Sequence, residues 1–287
     1  VTVGGECPGA ALEFGTFSAP GFFGDREVLI HRALVDRPKA PLVALLHGVH
    51  GCASPERGNK YGDLARLLAA EGYESMILES SRLRRDREIF GDDREAWIRL
   101  AFTGKTFEEE LADSVSGLRR IVGRRPGRPL VLLGFSLGGI LSVLIAGGAA
   151  EGLLSASRWE VSLWARELPP LFCLSVAGSG DALRPEAAGQ LRLPVLDRLP
   201  DPEILREAAT RLSAPRALTF YGGEDKTFSE ESCRGLFDRY PLAEERKRFL
   251  TLSGADHAFR EQRGLPSVEP IREIVRELVA FLEGCPE

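Results

Sequence analysis

Ser136 has the strongest claim to chemistry in this sequence. It stands in Gly134-Phe135-Ser136-Leu137-Gly138, a G-x-S-x-G pattern between the apolar runs LVLL and GILSVLIA. A strand turning sharply into a helix holds the residue at the turn in a strained backbone conformation. The residues two before and two after must then be nearly free of side chain. A hydroxyl with a pKa far above 7 is a poor nucleophile until a base takes its proton, so a reactive serine calls for a histidine. The chain has four, and His257, in SGADHAF, follows the last predicted strand, where a loop carries it over the C-terminal edge of a sheet. A histidine base in turn needs an acceptor on its other nitrogen, to fix the tautomer and stabilise the imidazolium. Asp225, in FYGGEDKTF, follows the preceding strand in the same manner, and Gly222 and Gly223 let that turn bend. Glu224 adjoins Asp225 and remains its alternative. Asp256 adjoins His257 and is set aside, because neighbouring side chains diverge.

Positioning such residues requires a sheet, and the apolar runs supply one. The segments 41–46 (PLVALL), 73–78 (YESMIL), 129–133 (PLVLL), 171–177 (LFCLSVA), 217–221 (ALTFY) and 247–252 (KRFLTL) alternate with helix-like stretches. That alternation builds a parallel sheet covered on both faces. Helical spacing of apolar residues predicts helices over 57–70, over 107–122 with Thr106 as N-cap and a stop near Gly123, and over 271–282. Segments 12–17 and 27–35 read as leading strands, an antiparallel pair. Two segments break the pattern. Residues 80–105 are densely charged around Phe90, Trp97 and Phe102, an excursion over the sheet edge that would line a site entrance; Arg82, Arg84 and Arg85 there form a solvated face or meet an acidic substrate. Residues 181–213 carry four prolines and a late helical stretch, and are expected to form a lid.

The order Ser136, Asp225, His257, each after a successive part of the sheet, resembles that of the α/β-hydrolase superfamily. The resemblance covers the chain from about Pro41 onward. It implies one domain over 1–287, with a mostly parallel central sheet, helices on both faces and a small lid at 181–213. It also implies a nucleophile at Ser136, a base at His257 and an acid at Asp225, with Glu224 as the alternative. His47-Gly48-Val49-His50-Gly51, directly after PLVALL, looks like the H-G-x-x-G element that follows the third strand in many of these enzymes. By that likeness the backbone N–H groups of Leu137 and Val49 would form the oxyanion hole, with His50 or Gly51 as alternatives to Val49. His47, Gly48, His50 and Gly51 would support that loop, as Gly134 and Gly138 support the serine turn. No cofactor is implied. His47 and His50 lie in a Gly-rich loop with no carboxylate or cysteine cluster to complete a metal set, so no metal is expected. The leading expectation is hydrolysis of a carboxylic ester through an acyl-enzyme, with a small-molecule acyl substrate. The same constellation serves short-peptide peptidases and thioesterases. A binding protein on the same fold would usually have lost a catalytic member or a turn glycine, and here each has a candidate.

The bulk composition bounds these readings. With 287 residues and 44% hydrophobic composition, the chain can bury a full core. Its net charge of −5 gives no basic field to draw it to nucleic acid or anionic lipid. No apolar run approaches the ~20 residues of a membrane span, and VTVGGECPGA lacks the basic segment and apolar core of a signal peptide. Five scattered cysteines without a C-x-x-C pair read as free thiols in a reducing compartment. Together these point to a soluble, cytoplasmic protein whose oligomeric state the sequence does not indicate.

Overall fold

Along 42–46, successive side chains point to opposite faces of a sheet, and both faces are apolar. Leu42, Ala44 and Leu46 enter one buried cluster, and Val43 and Leu45 enter another. A strand that is apolar on both faces belongs in the middle of a sheet covered by helices on each side. The computed structural model has this architecture; it describes residues 12–36, 38–49, 53–91, 93–156, 171–187, 194–197, 199–260 and 268–284. Strands β1 (Phe14–Pro20), β2 (Glu27–Ala33), β3 (Lys39–Leu46), β4 (Tyr73–Glu79), β5 (Leu130–Phe135), β6 (Leu171–Ala177), β7 (Ala217–Gly222) and β8 (Lys247–Leu252) form one sheet. Their order is β1-β2-β4-β3-β5-β6-β7-β8. The two leading strands pair antiparallel, β2 is antiparallel to β4, and every other pairing is parallel.

Helices α1 (Lys60–Ala70) and α9 (Glu269–Glu283) cover one face; α3 (Phe107–Arg124), α4 (Leu137–Ala146), α7 (Pro202–Thr210) and α8 (Glu230–Asp238) cover the other. Helix α1 starts three residues later than its apolar spacing predicts. Gly58 has a φ of +78° and Asn59 accepts from the N–H of Tyr61, so the cap sits there and Arg57 stays outside. Helix α3 begins as expected: Thr106 accepts from the N–H of Glu109 while the Glu109 carboxylate accepts from the N–H of Thr106. The parallel register sets Leu46 beside Gly134, Phe135 beside Ala177 and Gly222 beside Leu252. The C-terminal ends of β3, β5, β6, β7 and β8 therefore share one edge, which is where open α/β sheets place ligands.

Residues 80–105 depart from expectation, whereas 181–213 differ from it at their helix. Within 80–105, helix α2 (Arg94–Phe102) turns Trp97 and Phe102 into the core, at 1% and 3% exposure, rather than to a site entrance. Arg82 is buried with them, its guanidinium 5.5 Å from the Trp97 ring and 5.1 Å from Phe102, and it pairs with Glu79 at 3.0 Å. A planar guanidinium can stack and pair at once, so this arginine serves as a core residue. Arg84 pairs with Asp86, and Arg85 with Asp25 and Glu79. Within 181–213, α7 packs on α4 so tightly that a Cβ on Gly147 would lie 2.1 Å from the Ala208 carbonyl oxygen. That helix belongs to the body of the fold, leaving the described residues before it, Leu183, Leu196 and Leu199 among them, to flank the sheet edge. Among the described residues no single helix is long and apolar enough to cross a membrane. Cys173 and Cys233 are buried and in no disulfide; Cys7, Cys52 and Cys285 lie outside the described residues.

Candidate active site

Strand β5 is buried throughout, and Ser136 turns it directly into α4. Its φ of 53° and ψ of −118° lie where non-glycine residues are strained by about 1–3 kcal/mol. The surroundings hold it there. The Ser136 N–H donates to the Ala177 carbonyl at 2.9 Å, and its own carbonyl accepts from Ser179 Oγ at 2.6 Å. A Cβ on Gly134 would stand 2.3 Å from the Gly138 carbonyl oxygen, and one on Gly138 2.4 Å from that of Leu46. The glycine pattern thus follows from the closeness of the β3 end, the β5 turn and α4.

His257 Nε2 stands 2.9 Å from Ser136 Oγ, and His257 Nδ1 stands 2.9 Å from Asp225 Oδ2. A carboxylate only accepts, so Nδ1 carries the proton and Nε2 is free to accept from the serine hydroxyl. Asp225 is buried, and its other oxygen accepts from the N–H groups of Thr227 at 2.7 Å and Phe228 at 3.1 Å. Glu224, one residue away, is exposed at the rim of the cavity, so the acid beside His257 is Asp225. Asp256 points elsewhere, accepting from the N–H groups of Ala258 and Arg260 and pairing with the Arg260 side chain.

Two supporting residues escape the motif reading. Gly178, at the end of β6, has a φ of +61°, and a Cβ there would lie 3.4 Å from His257 Nδ1 and 3.5 Å from Asp225 Oδ2. Its place after an apolar run, in AGSG, is the signal that could have found it. Phe259, with a φ of 57°, is buried edge-on against Phe135 at 5.8 Å and anchors the loop that carries His257. No sequence pattern marks a phenylalanine for that conformation.

The loop after β3 lies against the serine: a Cβ on Gly48 would come 3.1 Å from Ser136 Cβ. Gly48 donates its N–H to the Tyr61 hydroxyl at 3.1 Å and accepts from His47 Nδ1 at 2.8 Å. His47 Nε2 accepts from the N–H of Ser80 at 3.2 Å, so the two partners define a neutral ring. Burial lowers the His47 pKa, reinforcing that form. Val49 and Leu137 both line the cavity that contains Ser136, and among the described residues neither N–H is taken up by a hydrogen bond. His50 and Gly51 lie outside the described residues.

A cavity of about 990 Å³ opens over these groups. Its lining includes Ser136, His257, Val49 and Leu137. Ile140, Leu183, Leu196 and Leu199 supply apolar surface, while Arg57, Lys60, Arg87 and Lys226 bring positive charge. Arg82, Arg84 and Arg85 are not among the lining residues. Among the described residues no group of three or more His, Cys, Asp or Glu side chains could hold a metal ion.

No family model matches the sequence, and no curated protein matches it significantly. Solved structures do. The chain is similar to the esterase domain of a Rhodothermus marinus protein at 17% identity, with a TM-score of 0.57, over 94% of this chain and 97% of that one. It is similar to a dienelactone hydrolase from Anabaena variabilis at 13% identity, TM-score 0.58, over 96% and 99% of the two chains. A third, from Xanthomonas campestris, is described as an α/β serine hydrolase without a lid and aligns at 14% identity, TM-score 0.55, over 96% and 97%. With this strand order, and with similarity running nearly end to end, the chain has the α/β-hydrolase fold.

Proposed function

We propose that the protein is a serine hydrolase of carboxylic esters, with Ser136 as nucleophile, His257 as general base and acid, and Asp225 as the group that orients His257. The observation that carries this reading is the single imidazole bridging the Ser136 hydroxyl and the Asp225 carboxylate at 2.9 Å on each side, at the floor of a large cavity. His257 takes the proton as Ser136 Oγ attacks the acyl carbonyl, then delivers it to the departing alkoxide. Water repeats the sequence on the acyl-enzyme and releases the acid. Negative charge on the carbonyl oxygen is met by the N–H groups of Leu137 and Val49, where loss of one donor typically costs about 3–4 kcal/mol of transition-state stabilisation. Leu137 opens α4, whose N-terminal partial charge adds to the effect. No cofactor takes part, and the partner is a small acyl substrate. The named solved structures, an esterase domain, a dienelactone hydrolase and an α/β serine hydrolase, support this class of chemistry. The test is hydrolysis of p-nitrophenyl acetate by the wild-type protein and Ser136→Ala: activity in the first and none in the second supports the reading, and full activity in the variant overturns it.

A further inference from the structure

Behind the loop that carries Val49 lies a buried cluster of charge with no part in the chemistry above. Lys105, 0% exposed, pairs with Glu110 at 2.6 Å and with Asp113 at 2.7 Å, and donates to the Ser81 carbonyl at 2.7 Å. Asp113 also accepts from the N–H groups of Phe22 and Ser81 and from the Ser81 hydroxyl. The second oxygen of Glu110 stands 3.7 Å from His47 Nε2. Asp113 is as deeply buried as Lys105, and His47 and Glu110 are nearly so. The cluster therefore joins the end of β3, the end of β4 and the first turns of α3.

Stability alone does not call for such a cluster. Apolar residues of similar volume usually serve a core as well or better than buried ions, and what the ions add is a single permitted geometry. Here that geometry ends on the loop beside Ser136. His47 accepts from Ser80 and donates to the Gly48 carbonyl, and the next peptide N–H is that of Val49. The charges reaching His47 are those of Glu110 from α3, Lys105 from the segment before it and Arg82 from beyond β4. Lys105 is needed in this arrangement. A lone carboxylate 3.7 Å from Nε2 would draw a proton onto that nitrogen and turn it from the acceptor of Ser80 into a donor to Glu110. With the ammonium holding the carboxylate, the ring stays neutral and in place.

We propose that Glu110 and Lys105 are positioning residues, which hold His47 and through it the peptide joining Gly48 and Val49 at the place an oxyanion must be met. This rests on the esterase reading, so wild-type hydrolysis of p-nitrophenyl acetate, dependent on Ser136, is established first; its absence contradicts that reading and removes the basis for this one. The test compares the wild type with Lys105→Met/Glu110→Leu, which deletes both members of the Lys105–Glu110 pair; Asp113 loses its ammonium partner and keeps three donors. An oxyanion site acts in the transition state, so kcat is expected to fall about 10- to 100-fold with KM within about twofold. Affinity for a trifluoromethyl ketone, a tetrahedral-state analogue, is expected to weaken in the same proportion. The melting temperature is expected to fall, because the buried Asp113 carboxylate loses its counter-charge, and the rates are therefore compared at a temperature where the variant is folded. Unchanged kcat in the folded double variant overturns the proposal, as does a loss of rate carried by KM. If the double variant does not fold, Glu110→Gln, which preserves shape and leaves Lys105 paired to Asp113, carries the same expectation and the same contradicting results.

Discussion

Ser136 carries a side chain where the backbone favours glycine, and the hydrogen bonds from Ser179 Oγ and to the Ala177 carbonyl keep it there. The other two members of the chain are fixed as firmly, Asp225 by two backbone N–H groups and His257 by Phe259 two residues on. Asp225→Asn should lower kcat by about 10³- to 10⁴-fold, because an amide at that place favours the wrong imidazole tautomer. Glu224→Gln should leave kcat little changed, since that carboxylate sits at the rim; steady-state kinetics on both variants checks the assignment, and the reverse pattern contradicts it. Gly178→Ala should cost about 1–2 kcal/mol of stability, from the left-handed backbone penalty and from a new methyl 3.2 Å from the Phe259 ring. Urea denaturation reads that loss, and unchanged stability would argue against strain at Gly178. At this scale the sequence pointed to Ser136, Asp225 and His257, each soon after a strand-like run, and the structure brings these three side chains together. It was silent on Phe259, since the reason for its conformation is a ring packed from another part of the chain.

The elements explain where legibility ended. Strands buried on both faces announce themselves as apolar runs, and five of them were readable within one or two residues, as was the partly exposed edge strand β8. Residues 80–105 misled for the opposite reason: their arginines suggest solvent, yet Arg82 is satisfied by Glu79 and two aromatic faces inside the core. The capping box at Thr106 was half legible, and Thr106→Ala is expected to cost about 1 kcal/mol by freeing the Glu109 N–H; a thermal-melt difference measures it. The cluster at the head of α3 also sets a pH dependence. Burial lowers the His47 pKa in the folded state, so acidification below about 6.5 protonates this histidine first in the unfolded chain. Burial alone would raise the pKa of Glu110, but the Lys105 ammonium beside it outweighs that and holds the carboxyl below its ordinary range. Both groups therefore favour folding at neutral pH and withdraw support as pH falls, His47 first and Glu110 at lower pH. Melting temperature should decline from pH 7 to pH 5, less steeply in His47→Gln; identical slopes would contradict the contribution of His47.

At the scale of the whole molecule, what matters is that five strand ends share one edge. Ser136 and His257 are 121 residues apart in sequence, and only the strand order and register place them in contact. The apolar periodicity conveyed that the sheet is parallel, but not that α7 belongs to its covering rather than to a lid, because α7 lies over Gly147 through packing that no local pattern encodes. On the proposed reading, arrangement across the whole sheet, rather than any one motif, would make the serine reactive. The most direct measurement of that claim is the rate of labelling by a fluorophosphonate, located by peptide mass spectrometry, in the wild type, Ser136→Ala and His257→Ala. The expected result is one adduct, on Ser136, absent from the first variant and slower by orders of magnitude in the second. An adduct on another residue, or labelling of His257→Ala at the wild-type rate, would contradict the proposed chemistry.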